Sequence, residues 1–284
     1  MLNVSYYPGC SLMGSAREFD DSVRRIAASL DVELAELNDW NCCGATAAHS
    51  LDEHLALALP ARNLELAEAA GKDVVVPCAS CFNRLKTAEK ALLSGRSADL
   101  GVQFSGKVKI RDVAEFMSQP TVLEKLSAKV VKPLKGLKGV CYYGCLVSRP
   151  PKVTDPENCE NPQSMDRIAA ALGMEVYPWS YKTACCGGSH AIARPDIVHT
   201  LTQKLYDRAL EAEAECFVVG CQMCQANLDM HQRAIAAKAG RSYYLPVFYF
   251  TELIGLACGH PHAGAWLERH FVHPKSLLRN KGLL

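Results

Sequence analysis

The sequence predicts an internally duplicated α/β chain: two layered α/β domains with cysteines at strand ends and in loops. Two observations carry this. The adjacent thiols Cys42 and Cys43 in WNCCG return as Cys185 and Cys186 in ACCGGSH, an offset of 143 (185 − 42). The same offset takes Cys78 to Cys221 and Cys81 to Cys224, so each half reads Cys-Cys-x34-Cys-x2-Cys. Around these cysteines, short β-branched runs alternate with helical patterns in both halves. Self-similarity on this scale is the mark of a repeated structural unit.

The elements follow in order. LNVSYY alternates and stops at Pro8-Gly9, a strand that delivers Cys10 at its carboxyl end. GVCYYGC plays that part in the second half and delivers Cys145, at an offset of 135 (145 − 10). The first gap is therefore x31 and the second x39. The extra residues fall in SRPPKVTDPENCENP (148–162), whose four prolines mark a loop, and a longer loop adds little closure entropy. Residues 52–70 have helical spacing, with Pro60 as an early break or kink. DVVVPCASC is a strand ending on Cys78 and Cys81, and FNRLKTAEKALL is a helix. Its second copy is a helix over 196–214, the strand CFVVGCQMC, and a helix over QANLDMHQRAIAAKA. A boundary near 131–136 divides the chain into 1–133 and 134–284. Cysteines then lie at strand ends, where open α/β sheets place their sites, and at helix starts, which favour thiolates.

Composition narrows the function. Hydrophobic residues make up 49% of 284, enough for sizeable cores. Lys plus Arg is 31 against Asp plus Glu 30, and the basic run KVVKPLKGLKG has no interleaved aromatics. Both facts argue against nucleic acid or an anionic membrane as the main partner. No secretory signal pattern and no bilayer-length apolar stretch is present; the nearest, Tyr243 to Cys258, contains Pro246 and Glu252. The expectation is a cytoplasmic chain with reduced thiols, able to dock on a larger or membrane-associated complex.

Fourteen cysteines then need a task. Neighbouring residues make poor disulfides, because their Cα atoms stand about 3.8 Å apart, below the usual range of roughly 4.4–6.8 Å. Mononuclear zinc takes four ligands around one centre, and each half offers five thiols. An iron–sulfur cluster spreads several irons, so adjacent thiolates can reach different ones. Gly44 and Gly187-Gly188 suit a backbone folded tightly around sulfide, with amides facing a negative cluster. The usual ferredoxin spacing is absent. An iron–sulfur cluster in each half, not held in the ferredoxin manner, is the expectation.

The remaining thiols read more plainly. Cys141 and Cys216 lie in apolar strand patterns and read as core, and Cys159 as an ordinary thiol of the inserted loop. Cys258, in LACGHPH beside His260 and His262, reads as a helix end and turn. His190, four residues beyond Cys186, and His231, seven beyond Cys224, are candidate proton donors; His49 occupies a similar place in the first half.

These ten cysteines resemble those of the catalytic component of heterodisulfide reductase, the family marked by two cysteine-rich CCG domains. The resemblance runs from YYPGC to Cys224. It implies a non-cubane [4Fe-4S] cluster in each half, one on Cys10, Cys42, Cys43, Cys78 and Cys81, the other on Cys145, Cys185, Cys186, Cys221 and Cys224. Some relatives carry zinc in place of one cluster. The implied reaction, part of methanogenesis, is reductive cleavage of the disulfide of coenzyme M and coenzyme B. The implied partners are a small C subunit with cubane clusters and a flavin-containing A subunit. That fits a chain without a Gly-x-Gly-x-x-Gly fingerprint. Relatives in bacterial sulfur metabolism and quinone-linked complexes leave a relay without its own substrate as the alternative. A phosphate- or sulfonate-bearing thiol would call for cations, and Arg84 and Arg149 are the candidate contacts.

Overall fold

The computed structural model describes residues 1–284 apart from Ala98. The chain forms two compact units, residues 1–116 with 146–159 and residues 117–145 with 160–284. The chain therefore crosses between units three times, where the sequence reading has a single cut at 133.

The first unit is built on four parallel strands, β1 Leu2–Tyr6, β2 Val32–Glu36, β3 Val74–Val76 and β4 Ile110–Asp112, in the order β2-β1-β3-β4. Leu2 pairs with Val32, Ser5 with Val74 and Val76 with Asp112. The all-parallel order requires crossover helices, and the sequence supplies them. In α1, Arg17–Ser29, the residues Phe19, Val23, Ile26 and Ala27 repeat at helical spacing and are buried. Helix α2, Glu53–Ala70, starts where the Asp52 carboxylate accepts the Leu55 amide at 2.7 Å. It ends at Gly71 in the left-handed conformation. Pro60 does not break it. Burial of Leu57, Ala61 and Leu64 on its inner face holds the helix through the missing hydrogen bond. Helix α3, Ala79–Ala91, begins directly after Cys78 and packs against α2. Residues 146–159, part of the proline-rich loop, close this unit: the Asn83 amide donates to the carbonyls of Leu146 (3.0 Å) and Arg149 (2.9 Å), and Lys90 pairs with Asp155.

At the end of β4, Asp112 is buried and accepts the Ala114 amide at 2.9 Å, while its Oδ1 has no partner among the described residues. Burial, then the neighbouring Glu115, pushes its carboxyl up to about 7. The unfolded chain thus releases this proton near pH 4 and the folded chain near 7, so Asp112 costs increasing stability as pH rises through that window. Asp112→Asn keeps an acceptor for the helix start and removes the charge. It should be more stable than the parent above pH 7, by up to ~3 kcal/mol, with no gain at pH 4. Denaturant midpoints at the two pH values measure this.

The second unit repeats the plan. Helix α4, Pro120–Lys129, precedes its sheet and packs against α5, Ser164–Ala171. The strands β5 Lys138–Tyr142, β6 Glu175–Val176, β7 Cys216–Val219 and β8 Val247–Tyr249 run parallel in the order β6-β5-β7-β8. Gly139 pairs with Cys216 and Tyr142 with Val219. Helix α6, Pro195–Glu211, leads to β7, and α7, Gln222–Met230, starts directly after Cys221. The expected single helix over 225–239 divides at His231, and α8, Gln232–Ala239, follows. Cys141 and Cys216 lie in the core. Cys258 caps the helix α9, Phe250–Ala257. No helix among the described residues is long and apolar enough to cross a membrane.

Candidate functional site

In each sheet the first strand lies between the second and third, so neighbouring connections leave it in opposite directions. Crevices at such switch points hold the sites of open α/β sheets. In the first unit the short helical segment Gly9–Met13 after β1 carries Cys10, the loop after β2 carries Cys42 and Cys43, and β3 ends two residues before Cys78. Cys81 lies in the first turn of α3. The second unit delivers Cys145, Cys185, Cys186, Cys221 and Cys224 from the matching places.

The sulfurs come together in pairs. Cys43 and Cys81 stand 3.4 Å apart, Cys42 and Cys10 3.9 Å, and Cys186 and Cys224 3.7 Å. Two sulfurs bound tetrahedrally at about 2.3 Å to one metal lie about 3.8 Å apart. Among the described residues, no three His, Cys, Asp or Glu groups stand in the geometry of a single metal ion. Pairs at this spacing suit thiolates that share metal ions. The donor set fits an iron–sulfur cluster in each half.

Protons are shared unequally within each cage. Cys43 is held low chiefly by a hydrogen bond with Cys81, and Cys186 by one with Cys224. Cys185 is drawn down to about 6, first by the thiol of Cys145 and, against the opposing effect of burial, by the amides of Gly187 and Gly188. Their partners Cys81, Cys145 and Cys224 are raised correspondingly. The Gly187 amide lies 3.2 Å from the Cys185 sulfur, and the Gly44 amide 3.5 Å from that of Cys42.

Two residues that sequence reasoning missed tie each cage together. The Tyr7 hydroxyl donates to the Asn41 carbonyl at 2.7 Å, and the Tyr142 hydroxyl donates to the Ala184 carbonyl at 2.7 Å. Each bond fastens the first ligand loop to the residue just before the adjacent pair. The signal was present, since Tyr7 and Tyr142 are related by the same offset of 135 as Cys10 and Cys145. Gly9 and Gly144, again at that offset, have φ of +74° and +69°. A Cβ on either would stand 2.7 Å from a ligand sulfur, that of Cys81 or Cys224 respectively.

Each half also has a tyrosine–aspartate–cation support. In the first the Tyr6 hydroxyl donates to Asp20 Oδ1 at 2.7 Å and Arg24 pairs with Asp20 Oδ2 at 2.8 Å, and the second has a similar arrangement. Lys182 Nζ donates to Asp166 Oδ1 at 2.7 Å and to the Pro162 carbonyl at 3.1 Å, while the Tyr143 hydroxyl donates to Asp166 Oδ2 at 2.7 Å. The Lys182 carbonyl accepts the amides of Tyr143 and Gly144, which fixes the turn that carries Cys145.

The other candidates are placed as follows. His190 is exposed and its charge is felt at Cys185. His231 is half-buried and stands 3.3 Å from His199, ring nitrogen to ring nitrogen, and burial followed by His199 pushes its imidazole down. Arg84 lines a surface cavity of about 530 Å³ with His49, Asp52 and Arg96. Arg149 is exposed, and its carbonyl receives the Asn83 amide. His260 stacks on Trp266 at 5.1 Å between ring centroids.

Known proteins give this geometry a family. The family described as "Cysteine-rich domain" (CCG) matches residues 4–86 and 140–229. The chain is 34% identical over 278 residues to the 8-methylmenaquinol:fumarate reductase membrane anchor subunit of Wolinella succinogenes, covering 96% of this chain and 98% of that one. It is 28% identical over 285 residues to a subunit of the ferredoxin:CoB-CoM heterodisulfide reductase of Methanosarcina mazei, covering 96% and 94%. A crystal structure of a hypothetical protein from Helicobacter pylori shares the fold, with a TM-score of 0.73 at 11% identity. It is matched over 95% of this chain, which spans 52% of that one. With matching cysteines, repeated sheets and relatives named as reductase subunits, the chain belongs to the cysteine-rich CCG domain family.

Proposed function

We propose that the chain is the disulfide-cleaving iron–sulfur subunit of a multi-subunit reductase, with a non-cubane [4Fe-4S] cluster in each half. Cys10, Cys42, Cys43, Cys78 and Cys81 would hold one; Cys145, Cys185, Cys186, Cys221 and Cys224 would hold the other. One observation carries the reading: each cage is graded from closed to open. Cys43, Cys78 and Cys81 are buried while Cys10 is exposed, and Cys186, Cys221 and Cys224 are buried while Cys185 is exposed. A purely structural metal is enclosed on all sides, whereas a catalytic one keeps a side accessible. When bound, the clusters would supply one-electron transfer and iron with an affinity for sulfur.

Cleavage of the mixed disulfide of coenzyme M and coenzyme B takes two electrons and two protons and yields two thiols. The electrons would come from a partner with cubane clusters fed by a flavin protein. His190, exposed beside Cys185, is the proposed proton donor. His231 is the weaker candidate, because its ring is engaged with His199. Arg84 and Arg149 are the proposed contacts for an anionic substrate group.

A second reading, a relay in a quinol-linked complex, is favoured by the 34% identity to the Wolinella protein along almost the whole of both chains. Anaerobic titration of the loaded complex separates the two. Under the disulfide reading, coenzyme M–coenzyme B disulfide changes the cluster spectra. Under the relay reading it leaves them unchanged, and a menaquinol reduces them instead. About eight irons and eight labile sulfides per chain are expected; zinc in one half would halve both counts.

A further inference from the structure

We propose that Arg84 makes the two sites electrically unequal: it renders the first five-thiol site the easier to reduce, while Asn227 in the matching place leaves the second the harder. The inference rests on the reading that each cage holds an iron–sulfur cluster.

The two residues are structural equivalents. Each lies three positions beyond the last ligand of its half (84 − 81 and 227 − 224), one turn along a helix that starts just after Cys78 or Cys221. Each therefore shares a helix face with that ligand. Their chemistry differs. Asn227 is buried, donates to the Cys186 carbonyl at 3.0 Å and lies 3.8 Å from the Cys186 sulfur, so it is neutral and committed to its own cage. Arg84 carries a permanent charge. Its guanidinium donates to the Asn83 side-chain oxygen at 3.3 Å, and among the described residues it forms no ion pair. The residue stands one helical turn beyond Cys81, whose sulfur lies 3.4 Å from that of Cys43.

In the second cage the neutral Asn227 takes the place of this fixed charge. Lys182 is taken up by Asp166 at 2.7 Å. His190 is a histidine, whose charge is not permanent. Reduction of a site adds one electron from an external one-electron donor and breaks no bond in the chain. The added negative charge is stabilised by a nearby guanidinium, and net charge and hydrogen bonds to sulfur set cluster potentials. On the potential Arg84 acts through its charge alone, a role separate from its proposed contact with an anionic substrate group.

The test is an anaerobic potentiometric titration of the full-length, cluster-loaded chain with dithionite, followed by electron paramagnetic resonance. Iron and labile sulfide are measured on every sample. Two reduction waves are expected. Arg84→Gln should lower the upper wave by about 59 mV, a tenfold loss in its one-electron reduction constant, and leave the lower wave in place. Arg84→Lys should restore most of the shift. Asn227→Asp should lower only the lower wave, and it decides the matter if Arg84→Gln fails to fold. A single wave in the parent, or an unmoved upper wave in fully loaded Arg84→Gln, overturns the inference and leaves the cluster reading intact. A parent chain without labile sulfide overturns both.

Discussion

Alanine in place of Gly144 should leave the chain with about half of its iron and labile sulfide, and alanine at Gly9 should do the same through the other cage. At both positions the backbone has positive φ, +69° and +74°, which costs a residue with a Cβ roughly 1–2 kcal/mol. That strain is the smaller part of the effect. The new Cβ would stand 2.7 Å from the Cys224 or Cys81 sulfur, each a buried member of its cage. The sulfur must move, and its spacing to its partner moves with it. Gly240→Ala is the control, since its φ is +63° and nothing lies within 4 Å of the added carbon. It should carry a similar strain and keep full iron. Metal and sulfide content of anaerobically purified protein, with circular dichroism to show folding, checks all three. Full iron in Gly144→Ala would remove the case that the Cys145 turn is shaped around Cys224.

The second large effect is on stability. Lys182→Met should cost about 3 kcal/mol, because it strands a largely buried carboxylate. Lys182 and Asp166 side chains are only 4% and 15% exposed, and breaking such a pair by removing one partner typically costs roughly 3–5 kcal/mol. The partial exposure of Asp166 argues for the lower end. Replacing both, Lys182→Met with Asp166→Asn, should recover a good part of the loss, since no buried charge is left and the Tyr143 hydroxyl keeps an acceptor. A double-mutant cycle in chemical denaturation measures the coupling. If the double variant is no better than the single one, the cost lies in lost packing of the lysine stem.

What could be read ahead of the structure was local or repeated. The five thiols of each half sit where parallel strands end and helices begin, so spacing and short β-branched runs were enough to place them. Gly44 and Gly187 could be assigned a task because their amides serve the residue two before them. Long-range features left no such trace. The edge strand β6 spans two residues, too few for an alternating pattern. Strand order is settled by pairing alone. Pro60 reads as a break or kink because helix propensity does not register the buried face that carries α2 through it. Tyr7 and Tyr142 look like core aromatics until their hydroxyls are seen on the Asn41 and Ala184 carbonyls. Lys182 resembles any surface lysine, and only the fold buries it beside Asp166.

The return of residues 146–159 to the first unit bears on how the two repeats can be pulled apart. A polypeptide stopped at residue 133 would hold every thiol of the first cage yet lack the carbonyls that receive Asn83 and the carboxylate that meets Lys90. Clean separation of the repeats as independent recombinant pieces therefore needs the 146–159 stretch grafted onto the amino-terminal piece, with a short bridge replacing the strand and turn excised between them.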